Sequence, residues 1–191
     1  MNAFLVSVGV VALGEIGDKT QLLAMVLAAR YHRPAVICLG ILVATLLNHA
    51  LAGVVGIAVA DLVHPTVLKW VLGISFLLMA GWLLIPDKLD DEPKPLRGLG
   101  VLATTMVMFF LAEMGDKTQI ATVALAARYD DLAAVVGGST LGMMLANVPA
   151  VYLGSKAASR LPLKWVHGAA AALFVMVGVA ALADAAGWFG A

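Results

Sequence analysis

Glu15, Asp18, Lys19, Thr20 and Gln21 stand in one heptapeptide, EIGDKTQ, and the same order returns 98 residues later as EMGDKTQ, Glu113 to Gln119. Each copy sets two carboxylates, an ammonium, a hydroxyl and a carboxamide inside a strongly apolar stretch. In a bilayer each charged residue would cost about 2.5–3.5 kcal/mol on insertion scales unless protein or bound ions compensate it. A chain that repeats that cost in the same spelling uses these residues for chemistry. Glu15, Asp18, Glu113 and Asp116 offer four carboxylates against the ammoniums of Lys19 and Lys117, a remainder that suits one divalent cation. Oxygen ligands favour magnesium, calcium and manganese, whereas zinc and copper sites usually recruit histidine or cysteine. Neither motif contains His or Cys. Thr20, Thr118, Gln21 and Gln119 could add neutral oxygens or hold the carboxylates in place. Metal entry into such a cluster would displace protons, and metal exit would let them return, so proton–metal exchange needs no additional residue type.

The elements that position these residues follow from composition. The chain has 191 residues, 62% hydrophobic and 13% charged, with a mean hydropathy of +0.99. Soluble domains carry about twice that charged fraction. Apolar segments of roughly 20 residues read as spanning helices, and the absence of period-two alternation argues against a membrane barrel. The expected fold class is an all-α integral membrane protein. Its six transmembrane helices fall at 3–29, 35–60, 66–86, 99–128, 133–154 and 164–187. On a continuous helix Glu15 and Asp18 share a face, and Glu15 could pair with Lys19 at i and i+4. Gly17 and Gly115 are where any local unwinding should centre; Gly14, the other flanking glycine, is Ala112 in the second copy.

The repeat extends beyond the heptapeptide. LAAR-Tyr closes both copies, at Leu27 to Tyr31 and Leu125 to Tyr129, and LKWV-x-G opens both third helices, at Leu68 to Gly73 and Leu163 to Gly168. Asn48 and Asn147 occupy matching places in the second helix of each half. An odd number of helices per copy turns the second copy upside down, giving two inverted three-helix repeats, 1–86 and 99–191, joined by a cytoplasmic linker at 87–98. Transporters are typically built this way, with the site near the midplane.

Basic residues near helix ends set the orientation. Arg30, Arg33, Lys88, Lys94, Arg97, Lys156, Arg160 and Lys164 gather on one side, against Lys69 and Arg128 on the other. Both termini are therefore expected on the non-cytoplasmic side. The N-terminus lacks the basic region of a signal peptide and reads as the first half of a spanning helix. A net charge of zero gives no basic field for nucleic acid.

Blander roles stand beside the functional ones. Glu–Lys and Asp–Lys pairs would also pin helices together, although an inverted duplicate of the whole motif asks for more than that. Asn48 and Asn147 either bond between helices or line the site. His49 either packs a helix or relays protons, and has no histidine counterpart in the second copy. His32, His64 and His167 lie near helix ends and read as interfacial, as do Trp70, Trp82, Trp165 and Trp188. Cys38 reads as core packing, and Gly40, Gly53, Gly56, Gly138 and Gly142 as helix-packing surfaces.

At its paired motifs the chain resembles a family of membrane cation transporters that carry two copies of E-x-G-D-[KR]-[ST], and the resemblance spans essentially all 191 residues. That family includes bacterial manganese exporters and the Golgi cation/proton exchangers of eukaryotes. The resemblance implies export of Mn2+, with Ca2+ as the alternative ion and protons as the counter-ion. It places Glu15, Asp18, Glu113 and Asp116 on the metal, with Lys19, Thr20, Lys117 and Thr118 completing the motifs. Lys117-Thr118, where eukaryotic members often read Arg-Ser, and the short linker make the chain look bacterial, and hence resident in the cytoplasmic (inner) membrane as a multi-pass protein. The expected partners are the lipid bilayer and a divalent metal ion, with a homo-oligomer left open; no nucleic acid and no cofactor are expected. An enzyme is not expected, since no HExxH or comparable catalytic pattern occurs, and a structural or assembly protein is the competing class.

Overall fold

The computed structural model describes residues 2–85, 98–153 and 163–188. The linker at 87–98, apart from Gly98, lies outside them, as do Lys88, Lys94, Arg97, Lys156 and Arg160 of the orientation count. The described residues form eight α-helices and no strand. They are α1 (Ala3–Glu15), α2 (Lys19–Tyr31), α3 (Pro34–Leu62), α4 (Pro65–Leu83), α5 (Val101–Glu113), α6 (Lys117–Tyr129), α7 (Leu132–Leu153) and α8 (Leu163–Ala185).

Local chemistry sets most of these boundaries. Asn2 caps α1 by accepting the Phe4 N–H at 3.0 Å. Pro34 and Pro65 occupy the first turns of α3 and α4, where a missing N–H loses nothing. His32 and Asp130 end α2 and α6 in the left-handed region, at φ 52° and 48°, each donating its N–H back to the helix.

Four helices, α3, α4, α7 and α8, are long and apolar enough to cross a membrane. The sequence expectation of continuous helices over 3–29 and 99–128 is corrected. Each is broken at its motif into two 13-residue helices. Thirteen residues rise about 20 Å, short of a hydrocarbon core of about 30 Å. The reason is written in E-x-G-D. Ile16 (φ −67°, ψ 116°) and Gly17 (φ 86°) form the corners of a type II turn, closed by the Asp18 N–H donating to the Glu15 carbonyl at 3.0 Å. Met114 (φ −65°, ψ 116°) and Gly115 (φ 79°) repeat it, with Asp116 N–H to Glu113 carbonyl at 3.0 Å. The second corner of that turn needs positive φ, which glycine adopts without strain.

The packing exchanges partners between halves: α1 lies along α7, α5 along α3, and α4 along α8. One end of the bundle gathers the starts of α1, α4 and α7 with the ends of α6 and α8. There Phe4 meets Gly138, Lys69 pairs with Asp184 at 3.0 Å, and Arg128 lies beside both. Gly40 of α3 abuts Thr105 and Asn48 reaches the Phe110 carbonyl, so α5 runs parallel to α3, towards that same end. Thus α1 and α5 approach the middle from opposite ends. Two apolar cores flank it, one around Phe76 and Phe174, whose rings meet edge-on at 5.9 Å, the other around Leu27, Ile37, Ile41 and Phe109.

Polarity is inverted relative to a soluble domain. Leu39, Leu46, Leu47, Leu51, Val54 and Val55 of α3 are exposed, while the motif carboxylates are buried. That distribution fits a bilayer as the surrounding solvent.

Candidate functional site

The two turns bring the two motifs together at the middle of the bundle. Glu15 and Glu113 are each the last residue of a helix, and Asp18 and Asp116 stand at the N-cap of the helix that follows, Asp18 with a capping hydrogen bond from its side chain and Asp116 without one. Capping explains the rest of the spelling. Asp18 Oδ2 accepts the Thr20 N–H at 3.4 Å, and Gln21, three residues on, reaches back so that its Oε1 accepts the Gly17 N–H at 3.0 Å. Gln119 does the same for the Gly115 N–H at 2.6 Å. G-D-K-T-Q is therefore a turn followed by a helix start that its glutamine closes in both copies.

Within this frame the hydroxyls hold the glutamates. Thr20 Oγ1 donates to Glu15 Oε2 at 2.7 Å, and Thr118 Oγ1 lies 3.2 Å from Glu113 Oε2. The opposite oxygens, Glu15 Oε1 and Glu113 Oε1, are buried and have no hydrogen-bond partner among the described residues. Glu15, Glu113 and Asp116 each present a ligand oxygen, all within 4.8 Å of one another. Three of the four carboxylates named from sequence thus form one cluster. Asp18 is buried beside it, with Oδ1 3.7 Å from Lys117 Nζ.

The lysines depart from expectation. The broken helix removes the i, i+4 geometry, and Lys19 Nζ lies 3.0 Å from Asp116 Oδ1 of the other copy rather than on Glu15. Lys117 reaches back to Asp18, so the ion pairs cross between motifs. Lys117 Nζ also stands 5.8 Å from the Trp82 ring centroid, a cation–π contact that adds a motif partner to a tryptophan expected as an interfacial anchor.

The glutamines and asparagines tie the turns to α7 and α3. Gln21 Nε2 donates to the Ala146 carbonyl at 3.1 Å, and Gln119 Nε2 to Asn48 Oδ1 at 3.3 Å. Asn48 in turn donates to the Phe110 carbonyl at 3.0 Å, whereas Asn147 donates to the Met143 carbonyl at 3.2 Å on its own helix. His167, expected at an interface, is half-buried and donates from Nε2 to the Ile16 carbonyl at 3.0 Å, satisfying a group that the turn frees. The chain pattern held no signal for that contact, because the matching place in the first LKWV-x-G is Leu72.

Chemically, the cluster is a buried, oxygen-only site at the centre of an apolar bundle, with two glutamate oxygens free and two ammoniums at its rim. It can take a hard cation, or protons in its place. A family model described as "Divalent cation/proton antiporter GDT1" matches residues 3–91 and 101–188. A Vibrio cholerae protein named "Putative manganese exporter" is 51% identical over 181 residues, covering 94% of this chain and 90% of that protein. A GDT1-like protein of Synechocystis is 29% identical over 94% of this chain and 96% of its own length. GDT1-like protein 5 of Arabidopsis thaliana is 28% identical over 95% and 96%, respectively. No solved structure matches.

Proposed function

We propose a transport function on one premise: the chain belongs to the GDT1 family of divalent cation/proton antiporters. It exports Mn2+ across the cytoplasmic membrane of a bacterium by alternating access, in exchange for protons. The observation that carries this is the convergence of Glu15, Glu113 and Asp116 within 4.8 Å, from two motifs separated by 98 residues. In this reading the ion binds Glu15 Oε1, Glu113 Oε1 and an Asp116 oxygen, and Asp18 completes the set. Thr20 and Thr118 fix the glutamates, Gln21 and Gln119 fix the turns, and Asn48 and Asn147 belong to the wall of the site.

Six spans follow from four continuous helices and two broken ones, α1–α2 and α5–α6. The opposed approach of α1 and α5, and the exchange of partners between halves, support two inverted repeats at 1–86 and 99–191. Arg30 and Arg33 lie at the end opposite Lys69 and Arg128. By the bias of basic residues both termini then lie outside, and the 87–98 linker lies in the cytoplasm. Broken helices at membrane depth serve ion transporters because the freed backbone groups line the site. The crossed pairs suggest how the cycle is coupled. Lys19 and Lys117 each bind an aspartate of the other motif, so any movement that separates the motifs must also separate charges.

Proteoliposomes with a trapped pH dye test the reading. Added Mn2+ should enter and drive protons out of the vesicles. Transport of Ca2+ with no transport of, or competition by, Mn2+ would replace the manganese exporter with a calcium/proton antiporter using the same carboxylates.

A further inference from the structure

Five residues outside the motifs carry buried polar atoms with no partner among the described residues: Ser7 Oγ, Thr45 Oγ1, His49 Nδ1 and Nε2, Thr140 Oγ1 and Asn147 Oδ1. His49 is fully buried on α3, yet neither ring nitrogen is bonded. Buried polar groups that no protein atom satisfies are rare and are met by internal water, which needs two to four polar neighbours.

The packing sets His49 and Thr140 on facing sides of α3 and α7. Gly53 of α3 abuts Val136. Helix α6 runs parallel to α3, through the Asn48–Gln119 and Gly56–Ala126 contacts, and α7 returns after a short turn, so α3 and α7 are antiparallel. One turn back from Gly53 is His49, and one turn on from Val136 is Thr140. Both steps lead the same way, towards the motifs. Asn147 lies two turns further along α7, beside the Ala146 carbonyl that holds Gln21.

The other half lacks this lining. The places matching His49 and Thr140 are Val148 and Ile41. The facing pair of His49 and Thr140 therefore breaks the repeat symmetry, and it lies on the side of the motifs towards the start of α1.

We propose that His49, Thr140 and Asn147 line a hydrated proton branch between that end of the bundle and the paired motifs, with His49 as its proton carrier. The proposal rests on the transport reading and supplies a route that the motifs alone do not. A proton taken on one ring nitrogen allows release of the other, so the imidazole returns to neutrality with one proton moved. With the termini outside, the branch opens to the side from which protons enter during export.

The test uses proteoliposomes of the whole chain in two modes, Mn2+-driven proton movement and Mn2+/Mn2+ exchange at uniform pH. His49→Gln should lower proton movement at least tenfold and Thr140→Val severalfold, while exchange stays within twofold of the unaltered protein. Unchanged proton movement in His49→Gln, or an equal loss of both modes, overturns the proposal. Absence of Mn2+–proton coupling in the unaltered protein would instead overturn the transport reading.

Discussion

Lys19 Nζ lies 3.0 Å from Asp116 Oδ1, across the interface between the two motif copies, and not against the glutamate four residues before it. With Lys117 turned towards Asp18, each copy neutralises a charge of the other. The pair of motifs is consequently one electrostatic unit, and neither half is complete alone.

The two lysines differ in depth, which separates their substitutions. Lys117 is 4% exposed and Lys19 is 32% exposed. Removing one partner of a buried pair costs about 3–5 kcal/mol, and exposed pairs contribute about 0–1. Lys117→Met should therefore destabilise by a few kcal/mol, and Lys19→Met by clearly less, about 1–2 after allowing for solvent. Thermal unfolding in detergent reads the difference; equal losses would refute the burial argument.

Glu15→Gln and Glu113→Gln should fold, because Thr20 and Thr118 can donate to an amide oxygen as they do to a carboxylate. Each variant nevertheless removes a charge from the cluster of Glu15, Glu113 and Asp116. Apparent Mn2+ affinity should fall by at least about tenfold, equivalent to about 1.4 kcal/mol. Uptake of Mn2+ into proteoliposomes measures it, with monodispersity as the folding control. Undiminished uptake in either variant would remove that glutamate from the site.

His167→Ala deprives the Ile16 carbonyl of its donor. A lost hydrogen bond to a partly covered carbonyl costs about 1 kcal/mol, and the first turn should loosen. His167→Gln can still donate and should recover most of the loss in unfolding temperature. Equal behaviour of the two variants would show that the contact contributes nothing.

Much of this was legible in the chain, for identifiable reasons. The long helices α3, α4, α7 and α8 are apolar over most of their length, and composition alone marks them. The motif carboxylates stood out because burial of charge is costly, and the structure gathers Glu15, Glu113 and Asp116. Any unwinding is expected at Gly17 and Gly115, where the break lies, yet the apolar flanks read as uninterrupted helix. Local turn chemistry, with Gly17 at φ 86° and Asp18 as a cap, prevailed over hydrophobic continuity. The Lys19–Asp116 pair was illegible because i, i+4 reasoning sees one helix, and this bond joins residues 97 apart. His167 and Trp82 were illegible for the same reason: their motif contacts depend on how α8 and α4 dock.

The turn reading makes a prediction about glycine. Gly115 has φ 79°, and nothing lies within 4 Å of the place a Cβ would take. Gly115→Ala therefore has no clash to resolve, and its penalty is conformational, about 1–2 kcal/mol for an L-residue in the left-handed region. Gly115→Asn should cost less, since Asn tolerates that region better than Ala. Gly14 is the control. It lies inside α1, a Cβ there would sit 3.5 Å from Thr118 Cγ2 in ordinary contact, and the second copy carries Ala112 at the same place. Gly14→Ala should be neutral or stabilising by about 0.5–1 kcal/mol, the usual gain for Ala over Gly in a helix. If unfolding temperatures rank Gly14→Ala above Gly115→Asn and that above Gly115→Ala, then positive φ at the turn, and not space, is what E-x-G-D requires of its glycine.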